Sequence, residues 1–376
     1  MPTDSVLAHK PAAKKDLCPD LIDFLMRKDQ EEREIFALIP LEEEKKIESP
    51  PTTPTTPEES PTVLQEAPGP KADDQLVDQW QKDFDKAVQQ PAERRQIEFS
   101  IPVVENDRVR YFVDFFSARK KDFFERALSR SGRYIPMMAT ILRDEGLPED
   151  LVYLSLIESG FSPYAYSRAK AVGPWQFIRS TGLRYGLAIN WWVDERRDPV
   201  KATRAAAAYL KDLHLLFGEW FLAAAAYNAG EGKIGRAMNR SRTNDFWRLS
   251  QKKYLKQETR NYVPKFIAAA LIARDPERHG FGDVEYQDPL EYDEVTITAP
   301  LQLKIAAELA DTTVDAIKEL NPALLRNYTP PSEEGFTLRL PAGKAEVFAQ
   351  AHEMLPDSAK VKFVVHTVAK GETLQG

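Results

Sequence analysis

The stretch LPEDLVYLSLIESGF, residues 147–161, decides how the chain is read. Pro148 followed by Glu149 and Asp150 has the composition of a helical first turn, where proline's fixed φ fits and acids face the positive helix end. Leu151, Val152, Tyr153, Leu154, Leu156 and Ile157 then make the segment apolar nearly all round, which predicts a buried helix over 148–158. Glu158 closes that helix, ahead of Ser159-Gly160. A carboxylate there is disfavoured in its charged form, because burial strips its hydration and the negative end of the helix opposes its charge. Both effects raise its pKa and yield a carboxylic acid that keeps its proton near neutral pH, the property of a general acid. On this stretch alone, a surface glutamate at a helix end stands as an equal alternative.

Working outward, the helical pattern runs almost continuously from Asp107 to Ala273. Asp198-Pro199 predicts the opening of a helix over 200–217, and Gly218 its close. Ala205–Ala208 and Ala223–Ala226 give two helices smooth faces for close packing. Pro264 predicts a kink or a new helix start near Tyr262. Beyond Gly280 the pattern changes. Alternation at Glu294–Thr298 and Phe336–Leu340 predicts two strands, with short helices at Leu303–Leu309 and Val314–Leu320 between them. The fold class expected is therefore mainly α: an all-helical domain over 73–280, its motif core at 145–275, and a small α+β unit of βααβ order at 291–343. Residues 344–358 read as polar and helical, and Phe363–Val368 as a further strand.

In the other direction, residues 1–47 form a charge-rich segment with a short amphipathic pattern, and 48–72 a Pro/Thr-rich linker. A helical pattern surrounds Leu76, Trp80 and Phe84, and residues 97–103 read as extended.

The bulk numbers narrow the function classes. The 376 residues leave room for two or three domains. A net charge of −7, with both signs interspersed, lacks the concentrated basic face of a nucleic-acid binder, so no nucleic-acid partner is expected. One cysteine, Cys18, and five scattered histidines predict neither an internal disulfide nor a metal site. No segment approaches the roughly 18 apolar residues of a transmembrane helix. The first thirty residues lack the apolar run of a signal peptide, and Lys14-Lys15-Asp16-Leu17 before Cys18 does not resemble a lipoprotein cleavage site.

Four stations follow in order: Glu158-Ser159-Gly160-Phe161 leading to Ser167; Gly173-Pro174-Trp175-Gln176-Phe177; Ala226-Tyr227-Asn228-Ala229-Gly230; and Glu258-Thr259-Arg260-Asn261-Tyr262-Val263-Pro264. Each is weak alone, but the set in this order and spacing is specific. Over about residues 100–275 it resembles the lytic murein transglycosylases with a goose-type-lysozyme-like (SLT) catalytic domain. The phrase Trp191-Trp192-Val193-Asp194-Glu195-Arg196-Arg197-Asp198-Pro199 points to their membrane-bound D branch.

The resemblance implies a lysozyme-like helical domain that cleaves the β-1,4 bond between N-acetylmuramic acid and N-acetylglucosamine and leaves a 1,6-anhydromuramoyl end. It implies Glu158 as the catalytic residue, first acid and then base. Ser167, Gln176, Tyr227, Asn228 and Tyr262 are implied as substrate-binding residues, with no cofactor and no metal. Ordinary glycosidases use two carboxylates, whereas the motifs here supply one; Glu231 is the candidate for a second acid. The competing expectations are a hydrolase of goose-lysozyme type and a catalytically inactive glycan-binding protein. Trp175 and Tyr227 also read as core aromatics, Trp191 and Trp192 as packing residues, and Asp194–Asp198 as a solvated charge cluster with a helix cap. Lys170 and Pro174 depart from the Gly and Leu common in the family.

Residues 363–376 resemble the truncated start of a LysM module, a βααβ fold that binds N-acetylglucosamine chains. Residues 291–343 resemble a diverged LysM with Ala299-Pro300-Leu301-Gln302 at its usual Gly-Asp/Glu-Thr-Leu start, so sugar binding and a spacer role both stand there. The natural protein is accordingly expected to be longer. Its expected partners are peptidoglycan glycan strands. It is expected in the periplasm or cell envelope, with its leader absent from this chain and membrane association belonging to the full-length form.

Overall fold

The computed structural model describes residue 101 and residues 104–355 except 333. The readings made for residues 1–47, 48–72, 75–90, most of 97–103, and 363–376 fall outside the described residues.

Glu158 lies within a cage of helices. Helix α1 (Asp107–Asp114) is capped by the Asn106 side chain and runs into a π-helical turn, Phe115–Arg119. The long α2 (Lys121–Asp144) buries Phe123, Phe124, Ala127, Leu128, Tyr134, Met138, Ile141 and Leu142 on one face. A 3₁₀ turn at Glu149–Leu151 leads into α3 (Val152–Ser159), whose Val152, Leu154, Ser155, Leu156, Ile157 and Ser159 are buried. The apolar stretch is thus a helix, with its first turn tightened to 3₁₀. Gly160 ends it at φ 60°, the left-handed conformation that glycine adopts most readily. Phe161 follows at φ 64°, fully buried, which a bulky residue adopts only when its surroundings impose it.

Between α3 and the next long helix the chain is mostly irregular: a loop to Ile178, the short α4 (Arg179–Arg184), and a 3₁₀ turn at Glu195–Arg197. This differs from the near-continuous helix expected. The reason is partly non-local: the amides of residues 167–176 bond mostly within the loop, while its carbonyls accept from Ser155, Ser159, Arg196 and Tyr227.

Helix α5 (Pro199–Phe217) begins as expected: the Asp198 carboxylate accepts hydrogen bonds from the amides of Val200 and Lys201, each 2.9 Å, and Gly218 ends it at φ 70°. Helix α6 (Trp220–Ala229) is buried from Trp220 to Ala226 and packs on α5, where Ala205, Ala206 and Ala207 are also buried. Helices α7 (Glu231–Ser241), α8 (Phe246–Ser250) and α9 (Gln257–Arg274) complete the unit. Pro264 lies inside α9, which passes through it without a new start. Buried Val263, Pro264, Phe266 and Ile267 pack into the main core there, so tertiary burial outweighs the lost amide.

The C-terminal unit has its own apolar core. Strands β1 (Tyr292–Ile297) and β2 (Phe336–Pro341) pair antiparallel, from Tyr292 opposite Pro341 to Ile297 opposite Phe336. Between them run α10 (Leu303–Leu309) and α11 (Val314–Leu320), the βααβ order read from the sequence, followed by α12 (Ala345–Glu353). Asn321 ties this unit together: its buried amide donates to the carbonyls of Ile317 and Arg339, each 2.7 Å, and accepts from the Arg339 amide at 3.0 Å. No helix among the described residues is long and apolar enough to cross a membrane.

Candidate active site

Glu158 is the penultimate residue of α3, and its carboxylate accepts a 2.6 Å hydrogen bond from the Tyr262 hydroxyl of α9. Two elements that are far apart in sequence thus meet at one carboxyl group. Burial pushes the Glu158 pKa from its ordinary 4.5 to about 7. The Tyr262 hydrogen bond opposes that shift, the negative charge of Glu258 adds to it, and the positive charge of Lys265 opposes it. The residue is only half-buried, so the acid remains reachable. Tyr262 and Tyr227 have pKa values raised by burial and then by the Glu158 charge, so both stay protonated and act as donors.

Tyr227 sits in a row of rings. Its centroid is 5.3 Å from that of Tyr209 and 6.1 Å from Phe177, and its hydroxyl donates to the Trp175 carbonyl at 2.7 Å. Asn228 accepts from the Thr259 hydroxyl at 3.0 Å, joining α6 to α9 beside Tyr262. Glu231 lies at the far side of the same row: it accepts from Tyr209 at 3.2 Å and pairs with Arg184 at 3.4 Å.

Ser167 and Gln176 belong to the loop after α3. The Ser167 hydroxyl accepts from the Ala171 amide at 3.0 Å and closes a tight turn. Gln176, at φ 50°, donates from its side-chain amide to the carbonyls of Gly173 at 2.9 Å and Ala165 at 3.2 Å. Both side chains hold the loop in shape, and hydrogen-bond contact with Glu158 belongs to Tyr262. Trp175 is core: fully buried, with its indole N–H donating to Thr203 at 2.8 Å.

Three groups are tied to the loop in ways the sequence did not signal. The hydroxyls of Ser155 and Ser159, both on α3, donate to the Pro174 carbonyl at 2.9 and 2.8 Å. Pro174 therefore contributes an acceptor that fastens the loop to the helix bearing Glu158. Opposite them the Arg196 guanidinium donates to the carbonyls of Lys170 and Phe177, each 3.1 Å, while pairing with Asp194 at 2.7 Å. Asp194, Arg196 and Asp198 are thus buried rather than solvated, and Trp191, expected to pack, is 69% exposed. Charged residues clustered this closely in sequence read as surface; only their distant partners reveal otherwise. Glu258 and Lys265, which act on Glu158 by charge, lay in or beside a recognised motif but carried no signal of that role.

Removing the Tyr262 hydroxyl gives a signed prediction. That hydrogen bond favours the carboxylate, so Tyr262→Phe raises the Glu158 pKa further. Activity that needs protonated Glu158 then persists to higher pH, while its maximal rate falls by about ten- to a hundredfold through loss of a charge-assisted hydrogen bond. Rate against pH for both proteins checks this; an unmoved or acid-shifted alkaline limb contradicts it.

Residues 137–250 match the Transglycosylase SLT domain family, and residues 291–357 match the family described as Lytic transglycosylase MltD, LysM-like domain. The chain is 31% identical over 291 residues to membrane-bound lytic murein transglycosylase D of Escherichia coli strain K12, an alignment covering 74% of this chain and 63% of that protein. It therefore spans less than two thirds of that relative's length. Peptidoglycan transglycosylase gp16 of Escherichia phage T7 is 32% identical over 130 residues, covering 34% of this chain and 9% of that protein. Membrane-bound lytic murein transglycosylase C of Haemophilus ducreyi is 25% identical over 136 residues, covering 32% of this chain and 37% of its own length.

Proposed function

We propose that this chain, whose residues 137–250 match the transglycosylase SLT domain and whose residues 291–357 match the MltD-type LysM-like domain, belongs with the lytic transglycosylases and cleaves the glycan strands of peptidoglycan without consuming water. The observation that carries this is the Glu158 carboxyl, pushed to about 7 by burial and held by Tyr262. Near neutral pH a substantial fraction of it is protonated, and its conjugate base is strong enough to recover a proton.

Glu158 donates its proton to the oxygen bridging N-acetylmuramic acid to N-acetylglucosamine, and the bond from that oxygen to the muramoyl anomeric carbon breaks. The electron pair leaves with the departing sugar's oxygen. The carboxylate then takes the proton of the muramoyl 6-hydroxyl, whose oxygen bonds to the anomeric carbon and closes a 1,6-anhydro ring. Glu158 ends protonated, as it began. Tyr262 steadies the carboxylate between the two transfers, and its own high pKa keeps it a donor throughout. Tyr227 and Asn228 border the site from α6, and Ser167 and Gln176 shape the loop that meets the sugar.

The domain division belongs to the same proposal: a catalytic unit over 73–280 and a LysM-like unit over 291–343 that takes up N-acetylglucosamine chains. The substrate places the protein in the cell envelope. Digested sacculi should release muropeptides lighter by one water than those left by a lysozyme. The exposed Glu258, whose charge reaches Glu158, is the observation that favours a hydrolytic reading instead. Products that have gained water would establish that reading and reject ours.

A further inference from the structure

The LysM-like unit touches the helical unit along a built seam. The linker to it lies directly on α2: the Gln287 amide donates to Ser129 at 2.9 Å, the Leu290 amide to Arg133 at 3.0 Å, and a Cβ on Gly132 would fall 2.4 Å from the Gln287 carbonyl. Farther on, the Asp194 amide donates to Ala323 and the Leu325 amide to Trp192, each 2.9 Å, with Val193 bridged to Leu324. Arg339 of β2 then reaches across. Its guanidinium donates to both Asp198 carboxylate oxygens, at 2.8 and 3.3 Å, and lies 4.8 Å from the Tyr292 ring centroid.

Asp194, Arg196, Asp198 and Arg339 are each 7% exposed or less. Charges taken out of water are tolerated only when geometry and partners are fixed, so this seam has a defined register. A domain held by a flexible tether leaves such groups solvated.

The segment the seam grips is the one that holds the active-site loop. Arg196, set between Asp194 and Asp198, binds the carbonyls of Lys170 and Phe177 at the two ends of the loop's critical stretch. Between them Gly173 packs so closely that a Cβ would lie 1.8 Å from the Arg196 carbonyl. Pro174, next along, accepts the two serine hydroxyls of α3. From β2 to the helix of Glu158 the joints are thus the Arg339–Asp198 pair, the short backbone step from Asp198 to Arg196, and the polar contacts of Arg196, Ser155 and Ser159 with the loop.

We propose that Arg339 is a positioning residue for the active site: acting through Asp198 and Arg196, the LysM-like unit sets the conformation of loop 165–177 and is a working part of the catalytic domain. This rests on the reading of Glu158 and its loop as the active site. The role is separate from any sugar binding by the LysM-like unit, because the Arg339 guanidinium faces the seam.

The test uses the full chain with Arg339→Met and Asp198→Asn together. Asparagine keeps the cap on α5, and removing both buried charges avoids stranding one in the seam, since Glu294, the other partner of Arg339 at 3.3 Å, is half exposed to water. The proposal predicts that the amides of Ala171, Val172 and Gly173 exchange hydrogen at least about tenfold faster than in the parent, as for a loop freed to open locally. It also predicts a severalfold rise in KM for solubilised glycan strands, with the alkaline pH midpoint unmoved. Arg339→Lys, which keeps the charge, restores both. Should the double variant not fold, Asp198→Asn alone is read in the same two ways. Unchanged loop exchange in a folded variant overturns the proposal, and so does faster exchange with an unchanged KM. A parent that yields no anhydro product refutes the proposed function instead, and the exchange measurement then decides the loop clamp by itself.

Discussion

Glu158→Gln should lower the rate of glycan cleavage by on the order of a thousandfold or more, because in the proposed mechanism one substitution removes both the proton donor and the base that recovers it. The shape of the site survives, since the glutamine amide oxygen still accepts from Tyr262. The same variant gains stability, with a definite pH dependence. The folded pKa of Glu158, about 7, lies above its ordinary 4.5. Below about 4.5 the carboxyl is protonated whether folded or unfolded, and the substitution changes little. As pH rises towards 7 the unfolded chain ionises this group more readily than the folded one, so the parent loses stability that glutamine retains. Above 7 the variant should be more stable by on the order of 1–3 kcal/mol, a figure reduced for the residue's partial exposure. Thermal unfolding of both proteins at pH 5 and pH 8.5 reads this out. A variant no more stable at the higher pH would mean that the carboxylate is well solvated and that burial does not poise it.

Gly173→Ala damages the molecule for a different reason. Gly173 has φ +81°, and an added Cβ would lie 1.8 Å from the Arg196 carbonyl oxygen and 2.6 Å from its carbon. Both obstacles are backbone, so no side chain can swing aside. Left-handed strain and overpacking together cost about 2–5 kcal/mol. Gly186→Ala is the control, because φ there is +84° with nothing within 4 Å of the new Cβ. It carries the strain alone, about 1–2 kcal/mol. Denaturant midpoints for the two variants should therefore separate clearly, with activity lost in Gly173→Ala. Equal midpoints would mean that the loop and segment 194–198 do not touch as described.

These two residues also show what the sequence could carry. The helix of Glu158 was legible because burial on all sides leaves an apolar run, and α5 because Asp198 and Gly218 are local caps. Helices α10 and α11 fall at Leu303–Leu309 and Val314–Leu320, where turn residues bound short apolar stretches. The loop from Phe161 to Ile178 was not legible in shape. Phe161, Lys170 and Gln176 all take positive φ values that their residue types do not announce, imposed by Arg196, Ser155 and Ser159 from elsewhere in the chain. The same distance hid the burial of Asp198, whose partner Arg339 stands 141 residues later. Motif order placed Tyr262 and Tyr227 beside Glu158. It did not say that Ser167 and Gln176 would hydrogen-bond within the loop, because such bonding depends on where the backbone turns.

On the proposed mechanism one carboxyl, acting as acid and then as base, closes an anhydro ring with no water taken up. Digesting sacculi in water enriched in heavy oxygen tests it most directly, by weighing the newly formed muramoyl ends. The ends should carry no heavy oxygen and a mass short by one water, and should disappear with Glu158→Gln. Heavy oxygen at the new anomeric carbon would show that water is the nucleophile and would contradict it.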